Sequence, residues 1–310
     1  METLARTLAD LSGYQGETRL PVGFDALWDA RAARAAELRE VTVDDVGIDS
    51  PMAVYLRLGF TSTDGTPLVA RYVHPLRPDA ETGPCHPAVV MFHDVGCAPH
   101  GWHHLTRFAA IGHAVIELEN RRWSGDICDG WHGGARDLAL ARLVDDALVC
   151  ASIASRLGGV DETRLSFWGE GLGGALAIDA AAVGRVRPSR CAALNPMPAD
   201  LRSVWLEGPC ELLYAGLRAH FRLEDPTGKD ADALFSALEY VDTVNFARRL
   251  GSRLLVGTSL LDTAEHMAPP SSQFAIVGNV AGEVRHVTYP RWAHERVNAF
   301  EDELLAFLHP

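Results

Sequence analysis

The sequence predicts an α/β protein, with a mostly parallel sheet and helices on both faces. Three observations predict it. Short apolar runs alternate with helical patterns from residue 88 to the C-terminus, and such alternation builds parallel sheets. A stretch of period-two alternation with a turn precedes them. A glycine-rich turn, Gly169 to Gly174, joins one apolar run to one helical pattern.

The elements follow in order. Glu40 to Val73 reads as strands: Val54–Phe60 alternates, Asp64-Gly65 signals a turn, and Pro67–Val73 returns. Ala88–Phe92 reads as a buried strand, Trp102–Ile111 as a helix and Ala114–Leu118 as a strand. Arg136–Leu157 reads as a long helix, Leu165–Trp168 as a strand, Leu172–Ala182 as a helix and Cys191–Leu194 as a short strand. Residues 199–245 interrupt the alternation with mixed helical sequence, as a cap-like insertion over the sheet edge would. The pattern resumes with strand Arg253–Gly257, helix Pro270–Val280, strand Val284–Tyr289 and helix Glu295–Leu308. The reading is one domain over 1–310, with an N-terminal extension to about residue 50.

Composition narrows the function classes. The 310 residues are 47% hydrophobic, enough for one large core. The net charge of −13 and the lack of a Lys/Arg cluster argue against nucleic acid as a partner. Met1 to Gly13 lacks the basic-then-apolar pattern of a signal peptide, and no apolar run approaches the roughly 18 residues of a membrane span. Cys85, Cys97, Cys128, Cys150, Cys191 and Cys210 show no CxxC spacing and read as reduced thiols. A cytoplasmic protein is expected.

The chemistry centres on the turn Trp168-Gly169-Glu170-Gly171-Leu172-Gly173-Gly174. Strand, tight turn and helix are the setting of the G-x-S-x-G nucleophile elbow of α/β-hydrolases. The residue at the nucleophile position is Gly171, so no acyl-enzyme forms there. A dinucleotide fingerprint, G-x-G-x-x-G, is the rival reading, but no acidic residue follows at about twenty positions. The rest of a triad is in order. Asp262 lies 91 residues after Gly171 and His294 lies 32 residues after Asp262, each on a loop that follows a predicted strand. Asp262 would fix the tautomer of His294.

With these elements placed, the chain resembles the acetyl xylan esterase and cephalosporin C deacetylase family, carbohydrate esterase family seven. Leu20-Pro-Val-Gly-Phe-Asp-Ala-Leu-Trp28 is similar to its P-x-D-F-D-x-F-W segment. Phe92-His93-Asp94-Val95-Gly96 is similar to its F-H-G-Y-G loop, and Leu238 to Ala247 to its Y-F-D-x-x-N-F-A segment. Tyr289 to Glu295 and Asp262 to Ser271 resemble its Y-P-x-x-x-H-E and D-x-x-x-P-P-S segments. The resemblance implies an α/β-hydrolase fold, a homohexamer and deacetylation of small acetylated sugars or related esters.

Where the family has serine, this chain has Gly171; where the loop has glycine and tyrosine, it has Asp94 and Val95; the D-x-R-G-Q-G segment reads Glu119-Asn-Arg121-Arg-Trp123-Ser-Gly125. The expected oxyanion donors are the backbone N–H groups of Val95 and Leu172. Asp94, Trp102 and Trp123 are pocket candidates. Cys97 is expected to be a small buried thiol, and Glu170 to point away from the reacting centre. His93, His100, His103, His104 and His132 read as loop and surface histidines without a metal, since His100 precedes the predicted helix and need not share a face with His104. No cofactor is expected. Three functions stay open. In the first, His294 acts as general base on water, in the space the serine vacated, or on a substrate proton. In the second, the chain is a serine acetyl esterase altered from serine to glycine at 171. In the third, it is an inactive relative with a binding or scaffolding role.

Overall fold

A computed structural model describes residues 8–76, 85–97, 99–208, 212–263, 268–293 and 295–308. Among these residues nine strands form one sheet: β1 (Thr42–Asp45), β2 (Ala53–Thr61), β3 (Pro67–Pro75), β4 (His86–Phe92), β5 (Ala114–Glu119), β6 (Val160–Glu170), β7 (Arg190–Leu194), β8 (Arg253–Ser259) and β9 (Val284–Tyr289). Their spatial order is β1-β2-β3-β5-β4-β6-β7-β8-β9. β1, β2, β3 and β5 pair antiparallel, and every pair from β5 through β4 to β9 is parallel. The order reverses direction around β4, so the chain ends of β4 and β6 open toward one crevice, the usual place for a site in such sheets.

The helices are α1 (Phe24–Ala35), α2 (Trp102–Ala110), α3 (Ala139–Ala154), α4 (Leu172–Val183), α5 (Leu201–Leu206), α6 (Ala215–Ala219), α7 (Ala231–Leu238), α8 (Thr243–Ala247), α9 (Pro270–Asn279) and α10 (Asn298–Leu308). Two apolar clusters lie on opposite faces of the sheet. Alternate residues of β4 divide between them: Ala88, Val90 and Phe92 on one side, Val89 and Met91 on the other. A strand buried on both faces needs the continuous apolar run that β4 carries. α4 is buried along its whole length. Its approach to the sheet depends on Gly173, where a Cβ would stand 2.2 Å from the Phe92 carbonyl oxygen.

The structure adds to the sequence reading at two places. β1 and α1 were not separately resolved in it. α3 is also shorter at both ends than the predicted Arg136–Leu157. The 199–245 stretch is helical as expected, and it lies between β7 and β8 as α5 to α8. Its last part anchors the N-terminal segment. Trp28 Nε1 donates to the Tyr240 carbonyl at 2.9 Å, and the Phe246 ring packs 4.8 Å from Trp28 and 5.1 Å from Phe24. Asp242 caps α8 by accepting from Val244 N at 3.0 Å, and also accepts from Asp200 N and Leu201 N, both at 2.9 Å. Asp200 in turn accepts from Glu17 N at 2.7 Å and Thr18 N at 3.1 Å. Two segments that the family resemblance singled out are therefore one packing unit.

Arg121, the arginine of the altered D-x-R-G-Q-G segment, works as an anchor too. Its guanidinium donates to Asp146 at 2.5 and 2.6 Å and to Asp64 at 2.7 Å. This forked geometry ties the loop after β5 to α3 and to the β2–β3 turn.

Candidate active site

β6 ends at Glu170, the chain turns at Gly171, and α4 begins at Leu172. Gly171 has φ 52° and ψ −121°, a left-handed φ that side chains rarely adopt. The turn is pinned on both sides: Gly171 N donates to the Leu194 carbonyl at 2.9 Å, and Met197 N donates to the Gly171 carbonyl at 3.1 Å. Strand, tight turn and helix thus follow one another here, with a glycine at the turn.

The loop after β4 supplies what fills it. Asp94 Oδ1 accepts from Val95 N at 2.7 Å and from Leu172 N at 2.8 Å. These are the two donors expected to form the oxyanion hole. A Cβ built on Gly171 would stand 2.2 Å from Asp94 Oδ1 and 2.3 Å from Oδ2. The carboxylate therefore occupies the room of a side chain at 171. The expectation that this room holds water is corrected. Burial pushes the Asp94 carboxyl up to about 6, and the hydrogen bonds from Leu172 and Val95 pull the other way. An anion held by two N–H groups, one at the N-terminus of α4, is also favoured by the helix dipole. The same arrangement disposes of the dinucleotide reading, because a pyrophosphate would meet a carboxylate already seated on Leu172 N.

Beside the carboxylate lies a cavity of about 30 Å³, lined by Asp94, Glu170, Gly171, Leu194, Asn195 and Ala293. It has room for a water molecule beside the carboxylate. Glu170 belongs to this lining, and it is exposed. Its carboxyl is pushed upward by desolvation and by the charge of Asp94. Asp94 Oδ2 has no hydrogen-bond partner among the described residues, so it is the oxygen left for chemistry.

Asp262 is buried in the loop after β8. Its Oδ2 accepts from Ala268 N at 2.7 Å and its Oδ1 from Ala293 N at 3.4 Å. His294 lies outside the described residues. Its neighbour Ala293 both lines the cavity and donates to Asp262, so the expected acid reaches the edge of the site.

The remaining candidates separate. Trp102 opens α2 and packs edge-on against Tyr55 at 6.1 Å, with the Arg71 guanidinium 5.1 Å from its ring. Trp123 is partly buried against the larger core. Neither lines the cavity. Cys97 is exposed, not buried as expected. Its thiol is held above the ordinary range, by desolvation first and then by Asp94 and Glu170, so it is a poor nucleophile. His100 precedes α2 as expected, and its ring still stacks on that of His104 at 5.2 Å. His132 packs on Trp131. Sequence reasoning missed Glu117, which is fully buried beside His93. It sits within an apolar strand, and an acidic residue there was the available signal.

The sequence matches the family described as Acetyl xylan esterase (AXE1) over residues 1–310. The structure is similar to acetyl xylan esterase 1 from Thermoanaerobacterium sp. JW/SL YS485, with a TM-score of 0.89, 25% identity and coverage of 97% of each chain. It is also similar to acetyl xylan esterase from Paenibacillus sp. R4, with a TM-score of 0.86, 24% identity and coverage of 97% of this chain and 98% of that one. A more distant likeness in fold joins it to the α/β-hydrolase GrgF from Penicillium sp. sh18, with a TM-score of 0.54, 15% identity and coverage of 81% and 96%.

Proposed function

Because this chain belongs to the acetyl xylan esterase family, we propose that it is a hydrolase of small molecules in which the Asp94 carboxylate has taken over from the serine. The observation that carries this reading is the seat of Asp94 Oδ1 on Val95 N and Leu172 N, over a glycine that leaves room for it.

The reading follows from what each oxygen has left to do. Oδ1 fills the oxyanion hole, so the carbonyl oxygen of a bound ester finds no donors there. Oδ2 is free and nucleophilic once the carboxyl is ionised. At a saturated carbon bearing a leaving group, Oδ2 forms the new C–O bond while the bond to the leaving group breaks, and the leaving group departs with the electron pair. The product is an ester on Asp94. Its carbonyl oxygen is Oδ1, already on two N–H donors. Water then attacks the Asp94 carboxyl carbon. His294, oriented by Asp262, takes the water proton. The tetrahedral oxyanion forms in the hole and collapses, the departing alkoxide takes the proton from the His294 imidazolium and leaves as the alcohol, and the Asp94 carboxyl returns its proton to solvent. The role held for the Asp–His pair, general base on water, is thus kept, and no acyl-serine is needed. An epoxide or an alkyl compound with a good leaving group is the substrate class.

The reading takes the chain as a cytoplasmic homohexamer without a cofactor, acting on a small molecule rather than on nucleic acid or a membrane. No helix among the described residues is long and apolar enough to cross a membrane. The alternative of a serine esterase altered at 171 is less favoured, because a serine there would need the Asp94 carboxylate to leave its two N–H donors. The inactive, ligand-binding alternative is favoured by one observation, the anion already in the hole, and the test separates it.

The native chain and His294→Ala are each incubated with a small aryl glycidyl ether, and modified peptides are mapped by mass spectrometry. The expected result is an ester on Asp94 that accumulates in His294→Ala, turns over in the native chain and is absent from Asp94→Asn. No adduct on Asp94 in either of the first two chains overturns the reading in favour of the inactive relative.

A further inference from the structure

A second cluster of reactive side chains lies behind the loop that carries Asp94. We propose that His93, His100 and Glu117 together bind one divalent transition-metal ion. His93 stands at the end of β4, His100 at the far end of the same loop, and Glu117 in the middle of β5. One ligand atom from each lies within 4.8 Å of the others. His93 Nε2 is 3.4 Å from Glu117 Oε1, and the His93 and His100 rings are 5.8 Å apart.

Burial is what points to a ligand. His93 is 4% exposed and Glu117 is 0% exposed. His93 Nε2 and Glu117 Oε2 are both buried with no hydrogen-bond partner. A buried polar atom left unpaired costs about 1–3 kcal/mol, so two on neighbouring residues need an explanation. An ion between them removes both orphans at once.

The surroundings suit a cation with imidazole and carboxylate ligands. His100 N donates to Glu117 Oε1 at 3.3 Å, which orients the carboxylate. Arg71 lies 3.9 Å from Glu117 Oε2, and it is held 3.1 Å from Glu119 and over the Trp102 ring. Two imidazoles and one carboxylate are a zinc-type ligand set with a fourth position for water. His100 is only partly buried, which provides the entry path.

Such an ion would clasp residues 93 and 100, the two ends of the loop that presents Asp94 and Val95. It would fix those two groups without touching them.

The test uses the full chain after treatment with a chelator. Co²⁺ is titrated in and followed by visible absorption, and Zn²⁺ is used to displace it. The expected result is saturation at a single equivalent, with a higher unfolding temperature for the loaded chain. His100→Ala, at a partly exposed position that leaves the core intact, is expected to weaken binding by at least about tenfold. His103→Ala is expected to bind as the native chain does. Failure of the folded native chain to bind either ion stoichiometrically overturns the proposal. So does binding that His100→Ala and Glu117→Gln leave unchanged.

Discussion

The Asp94 carboxylate stands where a side chain at Gly171 would stand: a Cβ there would lie 2.2 Å from Asp94 Oδ1. The two positions are therefore coupled, and changing one alone does not recreate a serine hydrolase.

Gly171→Ser by itself is expected to give no gain in p-nitrophenyl acetate hydrolysis, since the hydroxyl collides with the carboxylate and the hole stays full. The double change Asp94→Gly with Gly171→Ser frees the hole and the nucleophile position together. It is expected to exceed the single change by roughly a hundredfold, the worth of a working oxyanion hole. Steady-state ester hydrolysis by the two variants decides this. Equal rates would refute the coupling.

The reactivity of Asp94 is expected to rise with pH through about 6 and then level, because the ionised carboxylate is the nucleophile. Adduct yield against pH, read by mass spectrometry, checks this. The linked stability effect has the opposite sign. The carboxyl goes from 3.8 to about 6 on folding, so the folded chain holds this proton where the unfolded chain has lost it. The stabilisation is complete below the lower value and is lost as pH climbs to the upper one. Relative to Asp94→Asn, the native chain is expected to lose up to roughly 3 kcal/mol between about pH 4 and about pH 7. Urea unfolding at both values measures it.

Asp242→Ala removes the acceptor for the N–H groups of Asp200, Leu201 and Val244, all in the interior. Leaving them unpaired is expected to cost about 3 kcal/mol or more. Asp242→Asn keeps one acceptor oxygen and is expected to lose less. Urea unfolding of the two variants gives the order.

Phe246→Ala opens a hole between Phe24 and Trp28, the rings that fasten α1. The expected loss is about 3–5 kcal/mol. Limited proteolysis is expected to cut first before α1, because the ring between Phe24 and Trp28 has gone. A uniform loss of protection instead would place the role of Phe246 in the wider core.

Much of this was legible in the sequence, for identifiable reasons. The sheet announced itself in β4 and β8, whose continuous apolar runs suit strands buried on both faces. The elbow was legible in Gly169, Gly171 and Gly173, because close approach and a left-handed φ demand those residues. What the sequence left open was the direction of one side chain. Whether Asp94 turns toward Leu172 N or away depends on which backbone groups meet across the ends of β4 and α4, and no local pattern encodes that meeting. The exposure of Cys97 was missed for the same reason. The trio of His93, His100 and Glu117 was illegible as a ligand set because it spans two strands and a loop, where H-x-x-x-H spacing on a helix is no guide.

The contact between positions 94 and 171 also bears on any chain that would carry serine at 171 and aspartate at 94 together. A Cβ at 171 would stand 2.2 Å from Asp94 Oδ1, so the carboxylate would have to leave Val95 N and Leu172 N before the serine fits. Such a chain would trade the two hydrogen bonds that seat the carboxylate for room at the turn.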